Sequence, residues 1–186
     1  MGGLQLLIFA TFVALWVAWF MPFVITRRGG GAKADVRAPA SRWGMLLQGI
    51  SFGFASFHYA GWNTFTTGRV IASLIFEVIA VLLAWTSVHA LGKQWRLEAA
   101  LSIDHELIQS GPYSVIRHPI YTSMFCIFIA LALMLGYWST AVVGAVIFVI
   151  GTEIRVRAEE RLLAGRFGPN FDAYRKRVPA YIPGVR

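Results

Sequence analysis

Residues 105–121 read HELIQSGPYSVIRHPIY, the one stretch where histidine, proline, tyrosine and charge crowd together between long apolar segments. Gly111-Pro112 is a turn signal, because glycine tolerates positive φ and proline sets its own φ. Pro119 pushes His118 out of the helical region and then suits the first position of a helix, where its missing N–H costs nothing. The stretch therefore predicts a polar loop ending in Arg117 and His118 at the N-terminus of an apolar helix. Unpaired N–H groups and partial positive charge at such a terminus suit a carboxylate or a phosphate. That makes this the first candidate binding site, for something anionic.

Working outward, five apolar segments emerge: Leu4–Thr26, Trp43–Gly61, Arg69–Leu91, Pro119–Leu135 and Trp138–Ile154. Runs near twenty residues match the thickness of a bilayer's hydrocarbon. The composition agrees, since 57% of the 186 residues are hydrophobic and the mean hydropathy is +0.61. The last two segments are shorter, roughly 26 Å of helix each, and form a close pair joined through Gly136 and Tyr137. The expected fold is thus an all-α integral membrane protein with five transmembrane helices. Small residues in the second segment would let helices approach closely. No Lys or Arg precedes Leu4, so the first segment reads as a retained helix rather than a signal peptide. Residues 1–91 read as a three-helix membrane part and residues 92–186 as the part carrying the chemistry, within one structural domain.

Charge then orients the chain. Five crossings put the first loop (Arg27–Arg42), the central loop (Gly92–His118) and the C-terminal tail on one side. That side holds every Lys and Arg of the 17 except Arg69. By the positive-inside rule it is cytoplasmic and the N-terminus is outside. The same rule accounts for a net charge of +8 without invoking nucleic acid. The single cysteine, Cys126, excludes an internal disulfide and a cysteine-cluster metal site.

Past Ile154 the fifth helix is expected to continue into water, with Glu153 and Arg157, and Arg155 and Glu159, four apart on shared faces. Gly168-Pro169 reads as a turn. Around it, Phe167, Phe171 and Tyr174 recur at intervals of four and three beside Arg175, Lys176 and Arg177. That pattern suits a helix lying on an anionic membrane surface.

The central loop and the extension of the fifth helix emerge on the same face, so they can build one site. His105, Tyr113, Arg117, His118 and Tyr121 would come from one side, and Arg155, Glu159 and Glu160 from the other. No H-E-x-x-H zinc spacing, G-x-S-x-G elbow or phosphate-binding loop occurs. Within the third segment, Glu77 is a carboxyl at membrane depth, where it is costly and commonly functional. It has either a substrate-related role or an interhelical hydrogen bond, with His58 as a candidate partner. His89 reads as an interface residue.

The string HELI-x-x-GPY-x-x-x-RHP-x-Y is followed by R-x-x-x-EE-x-x-L and then by FG-x-x-F-x-x-Y-x-x-x-VP-x-x-IP. Together they resemble the isoprenylcysteine carboxyl methyltransferase family, which is related to membrane phospholipid methyltransferases. The resemblance covers residues 98–186. It implies an integral membrane enzyme that uses S-adenosylmethionine, bound in a cytoplasmic pocket formed by the loop, the last two helices and the tail. Carried over, His105, Glu106, Leu107, Ile108 and Tyr113 would line the cofactor pocket, completed by Arg117, His118, Pro119 and Tyr121. Glu159 would bind the cofactor's polar groups and Arg155 would handle the substrate. Ser123 stands where the family often has glycine, and Glu98 where larger members have a cofactor-contacting glutamine.

Elementary chemistry fits this reading. S-adenosylmethionine has an ammonium and ribose hydroxyls for Glu159, and a sulfonium that tyrosine rings attract. A substrate carboxylate is already ionised at neutral pH, so alignment and desolvation would carry most of the rate. An amine acceptor would need a base, for which Glu160 is the nearest candidate. The acceptor is expected to be lipophilic and to enter from the bilayer. A prenylated cysteine acid leads; a phospholipid amine and a catalytically silent lipid- or sterol-binding protein are the alternatives.

Overall fold

The computed structural model describes residues 2–27, 36–56, 66–97, 99–101 and 105–184. Among them six helices dominate: α1 (Gly3–Arg27), α2 (Ser41–Ser56), α3 (Thr67–Leu91), α4 (Pro119–Leu135), α5 (Trp138–Phe167) and α6 (Pro169–Arg177). A minimal antiparallel ladder joins β1 (Val36–Arg37) to β2 (Ala100–Leu101), pairing Val36 with Leu101. Three helical stretches are long and apolar enough to cross a membrane: Gly3–Thr26, Thr67–Gln94 and Trp138–Phe167. α4 is apolar but has only 17 residues, and α2 has 16. The expected second segment ran to Gly61, and residues 57–61, with His58, lie outside the described residues.

Local chemistry sets the helix ends. The Thr66 side chain accepts from the Arg69 amide at the start of α3, an N-cap that satisfies one of the orphan donors. Gly92 and Gly168 follow α3 and α5 with φ of +50° and +49°, a region that glycine enters without a Cβ clash. Arg69, the basic residue that charge patterning left alone, caps the far end of α4. Its Nε donates to the Leu133 carbonyl at 3.1 Å and an Nη to Gly136 at 3.0 Å. Leu133 lies in the last turn of α4 and Gly136 is its C-cap, where carbonyls have no further helical amides to satisfy them.

Glycine brings α2 and α5 together. A Cβ on Gly44 would come within 2.5 Å of the Gly151 carbonyl oxygen, and one on Gly151 within 2.8 Å of the Gly44 carbonyl oxygen. Gly49 and Gly53 meet nothing within 4 Å, so close approach requires glycine at Gly44 alone among the glycines of α2. α3 packs along α4, and α1 lies against α3. The Trp85 indole donates to the Ala18 carbonyl at 2.9 Å, and Trp19 to the Ser123 hydroxyl at 3.3 Å. Phe12, Ala55, Phe128, Leu131, Met134 and Phe148 form one buried cluster, and Trp19, Ala80, Ala84, Cys126 and Ile127 a second.

The tail differs from expectation. Phe171, Tyr174 and Val178 are buried against Leu107, Leu163, Ala164 and Phe167, so the aromatic stripe of α6 packs on the protein rather than on a membrane surface. Magnitudes account for this. Burying each large apolar side chain contributes about 1.5–3 kcal/mol, whereas a basic residue near an anionic leaflet contributes about 1 kcal/mol.

Candidate functional site

The turns of the central loop form as their residues require. Gly111 takes φ +59°, and Pro112 sits in the first turn of a short 3-10 segment, Gly111–Ser114. Pro119 is the first residue of α4, with His118 as N-cap. The amides of Arg117 and His118 are not open to an anion, however. They donate to the Pro179 and Ala180 carbonyls at 2.8 and 3.0 Å, and the Thr122 hydroxyl donates to the Tyr181 carbonyl at 3.0 Å. Residues 179–181 thus occupy the two amides that lead into α4, so those two are not available to an anion.

Beside the start of α4 lies a cavity of about 410 Å³. Its polar wall contains His105, Glu106, Tyr113, Arg117, His118, Tyr121, Arg155 and Glu159, with Leu107 and Ile108 between them. Its apolar wall comes from Trp19, Phe20, Phe23 and Val24 of α1, together with Ile120 and Met124 of α4. Of the residues expected to line a cofactor pocket, all but Pro119 reach this cavity. Pro119 is fully buried and acts through the backbone.

Glu160 does not line the cavity. Its Oε1 accepts from Arg117 Nε and Nη2 at 3.0 and 2.9 Å, and from His118 Nε2 at 3.1 Å. Arg117 also donates to the carbonyls of Arg175 and Val178. The geometry makes Glu160 the hub that ties α5, the start of α4 and the tail together. Glu77 is also away from the cavity. It is fully buried in α3, and among the described residues neither carboxyl oxygen has a hydrogen-bond partner. His89 is exposed on the last turn of α3.

Glu159 does face the cavity. It accepts from the Tyr121 hydroxyl at 2.5 Å, and its Oε2 lies 3.7 Å from His118 Nδ1. His105 has an Nδ1 without a partner among the described residues. Burial lowers its pKa, and the charges of Arg96 and Arg166 lower it further, so at neutral pH it presents an uncharged ring. Tyr113 is held well above the ordinary tyrosine range by burial first and by Glu159 second. It is a neutral phenol throughout the physiological range.

Arg155 is the buried cation of the site, only 6% exposed. One Nη donates to the Gln48 amide oxygen at 2.8 Å and the other to the Leu97 carbonyl at 2.7 Å. Its guanidinium carbon lies 5.0 Å from the centroid of the Tyr121 ring, so cation–π attraction steadies it and occupies one face of that tyrosine. The pairing that helical spacing allows between Arg155 and Glu159 does not form.

Sequence reasoning missed Gln48 and the α1 wall. Gln48 had only the signal of a lone amide in an apolar run, whereas the wall shows as Trp and Phe clustered at 16, 19, 20 and 23. Glu98 lies outside the described residues.

Comparison with known proteins adds three relatives and a family. The profile described as the isoprenylcysteine carboxyl methyltransferase family matches residues 73–165. The cobalt-zinc-cadmium resistance protein CzcN of Cupriavidus metallidurans is 30% identical over 147 residues, 70% of this chain and 66% of that protein. The nickel-cobalt-cadmium resistance protein NccN of Alcaligenes xylosoxydans xylosoxydans is 37% identical over 78 residues, 42% of this chain and 36% of the relative. The protein-S-isoprenylcysteine O-methyltransferase of Schizosaccharomyces pombe is 35% identical over 81 residues, 43% of this chain and 34% of the relative. The matches thus span from about one third to just under two thirds of these relatives' own lengths.

Proposed function

The chain belongs to the isoprenylcysteine carboxyl methyltransferase family, and from that premise we propose that it methylates the carboxylate of a lipophilic, isoprenylcysteine-like acid with S-adenosylmethionine. The protein crosses the bilayer five times in this reading, with α2 and α4 as the shorter spans. The N-terminus is outside and the cavity opens on the cytoplasmic side, as the distribution of Lys and Arg requires. Residues 1–91 supply the apolar wall and Gln48, and residues 92–186 supply the cofactor-facing groups.

The observation that carries the proposal is Arg155, a buried cation with neutral partners, lining a cavity that combines charged and polar groups with many apolar ones. A lipophilic acid matches both walls at once. The residues also fit the cofactor, since His105 keeps a buried Nδ1 without a partner among the described residues and Glu159 offers a carboxylate to an ammonium or ribose hydroxyl. When bound, S-adenosylmethionine supplies an electrophilic methyl group on a sulfonium. Glu159 and the 105–108 segment bind and orient it, and the Tyr121 hydroxyl holds Glu159 in place. Arg155 takes the acceptor carboxylate and fixes its direction, and the wall of Trp19, Phe20 and Phe23 keeps water from it. Alignment and desolvation then provide the rate.

Amine methylation needs a base, and Glu160 is engaged with Arg117 and His118 away from the cavity. The metal-resistance names of two relatives bring no metal centre with them: among the described residues no group of three or more His, Cys, Asp or Glu could hold an ion. A silent lipid-binding protein is separated from the enzyme by titration calorimetry of the detergent-solubilised protein with S-adenosylhomocysteine. Saturable binding at one site is expected; well-folded protein that binds none would overturn the proposal.

A further inference from the structure

Resting on that reading of the cavity, we propose that Gln48 is a positioning residue. It holds the Arg155 guanidinium in place while leaving its charge uncompensated, so that the site selects acceptors carrying an anion. Gln48 lies on α2, 2% exposed, and is 107 residues away from Arg155 in sequence. Arginine can only donate, so the amide oxygen must face Arg155, at 2.8 Å from Nη1. The amide nitrogen then donates to the Thr152 hydroxyl, also at 2.8 Å. Chemistry thus fixes the amide's orientation, and Thr152 locks it from one turn earlier on α5.

The choice of glutamine matters because of what it is not. Glutamate has the same shape but carries a charge, and would turn the hydrogen bond to Arg155 into a buried ion pair. Glutamine holds the same position and leaves the cation unneutralised. The second holder, the Leu97 carbonyl, is neutral too. Among the described residues no carboxylate oxygen lies within the 4.0 Å ion-pair distance of Arg155, and its Nε has no hydrogen-bond partner. A buried charge that has no counter-ion among the described residues is costly, and an anion entering the cavity relieves that cost. Gly44, one turn before Gln48, fits the arrangement. A Cβ there would lie 2.5 Å from Arg155 Cγ, so α2 confines the stem of the arginine as well as its head.

The test compares binding of two probes, S-farnesylcysteine with a free acid and the same molecule as its carboxamide, with and without S-adenosylhomocysteine. The parent should prefer the acid by about tenfold or more, the scale of a hydrogen bond to a charged group. Gln48→Glu should bring the acid-to-amide ratio close to one, because the new carboxylate neutralises Arg155, and should leave S-adenosylhomocysteine affinity unchanged. Gln48→Met keeps the shape and loses the hold, and should lower the ratio severalfold. A merely structural glutamine would change melting temperature and leave the ratio intact; an unchanged ratio in folded Gln48→Glu overturns the inference. If that variant does not fold, Gln48→Met decides alone, and a parent-like ratio there overturns it equally. A parent that binds S-adenosylhomocysteine but shows no acid preference sinks this inference and spares cofactor use. A parent that binds no S-adenosylhomocysteine sinks the methyltransferase reading, and the ratio measured without it still reports on Arg155.

Discussion

Arg155 and Glu159 stand one turn apart on α5 and do not pair: the guanidinium donates to Gln48 and the Leu97 carbonyl, and the carboxylate accepts from Tyr121. Their separation lets one helix present a cation and an anion to the same cavity for different tasks. They do not touch each other, but they share Tyr121, which donates to Glu159 and lies against Arg155, so each variant is compared with the parent separately.

Glu159→Gln should weaken binding of S-adenosylhomocysteine, since losing a hydrogen bond to a charged group costs about 1.5–3 kcal/mol. Arg155→Ala should leave that affinity within about twofold while single-turnover methyl transfer falls by about two orders of magnitude, the scale of a misaligned reactant. Calorimetry and rapid-quench measurements on both variants check the split.

Glu160→Gln should act on the tail rather than on the chemistry. It weakens the bonds that Arg117 and His118 donate to one oxygen, so trypsin should cut sooner after Lys176 and Arg177 and the melting temperature should fall. The pH dependence of transfer by the folded fraction should match the parent's. Loss of an acidic limb in that profile would instead make Glu160 a proton acceptor, since a base stops working where it is protonated.

Gly44→Ala should be destabilising by about 1–3 kcal/mol, the cost of overpacking, because its Cβ would meet a backbone carbonyl and the Arg155 stem at 2.5 Å. Gly49→Ala and Gly53→Ala meet open space and should be neutral or stabilising by up to about 1 kcal/mol. Melting temperatures of the three variants in one detergent test the α2–α5 crossing.

These glycines mark what could be read from the sequence and what could not. The turn at Gly111-Pro112, the start of α4 at Pro119 and the run of α5 beyond Ile154 are local effects of φ, ring closure and helical continuity, and they stand as read. So does the convergence of residues 105–121 with Arg155 and Glu159, because a compact motif carried most of it. Gln48 was not legible, because its meaning depends on a crossing between helices about a hundred residues apart. Periodicity showed that α6 has an apolar face but could not say that Leu107 and Leu163 cover it. Helical spacing allowed Arg155 to meet Glu159, and tertiary partners on α2, on α4 and after α3 decided otherwise.

Alkaline pH should loosen the tail. Burial raises the Tyr174 pKa from 10.0 to about 12, and its hydroxyl donates to the Tyr113 carbonyl at 2.7 Å. Between those two values the unfolded chain has lost a proton that the folded protein keeps. Stability is therefore full below pH 10 and falls as pH rises towards 12, by up to about 1.4 kcal/mol per unit for one such group. Tyr174→Phe should be less stable at pH 8 and should show a shallower decline above pH 10, read as melting temperature against pH.

The most direct measurement gives the purified protein S-farnesylcysteine and S-adenosylmethionine labelled in its methyl group, then treats the product with base. A carboxyl methyl ester releases its label as volatile methanol, and an N-methyl product does not. Label is expected in the prenylated product, released by base and absent with Arg155→Ala. Base-stable label, or no transfer by folded protein that binds the cofactor, would contradict carboxyl methylation.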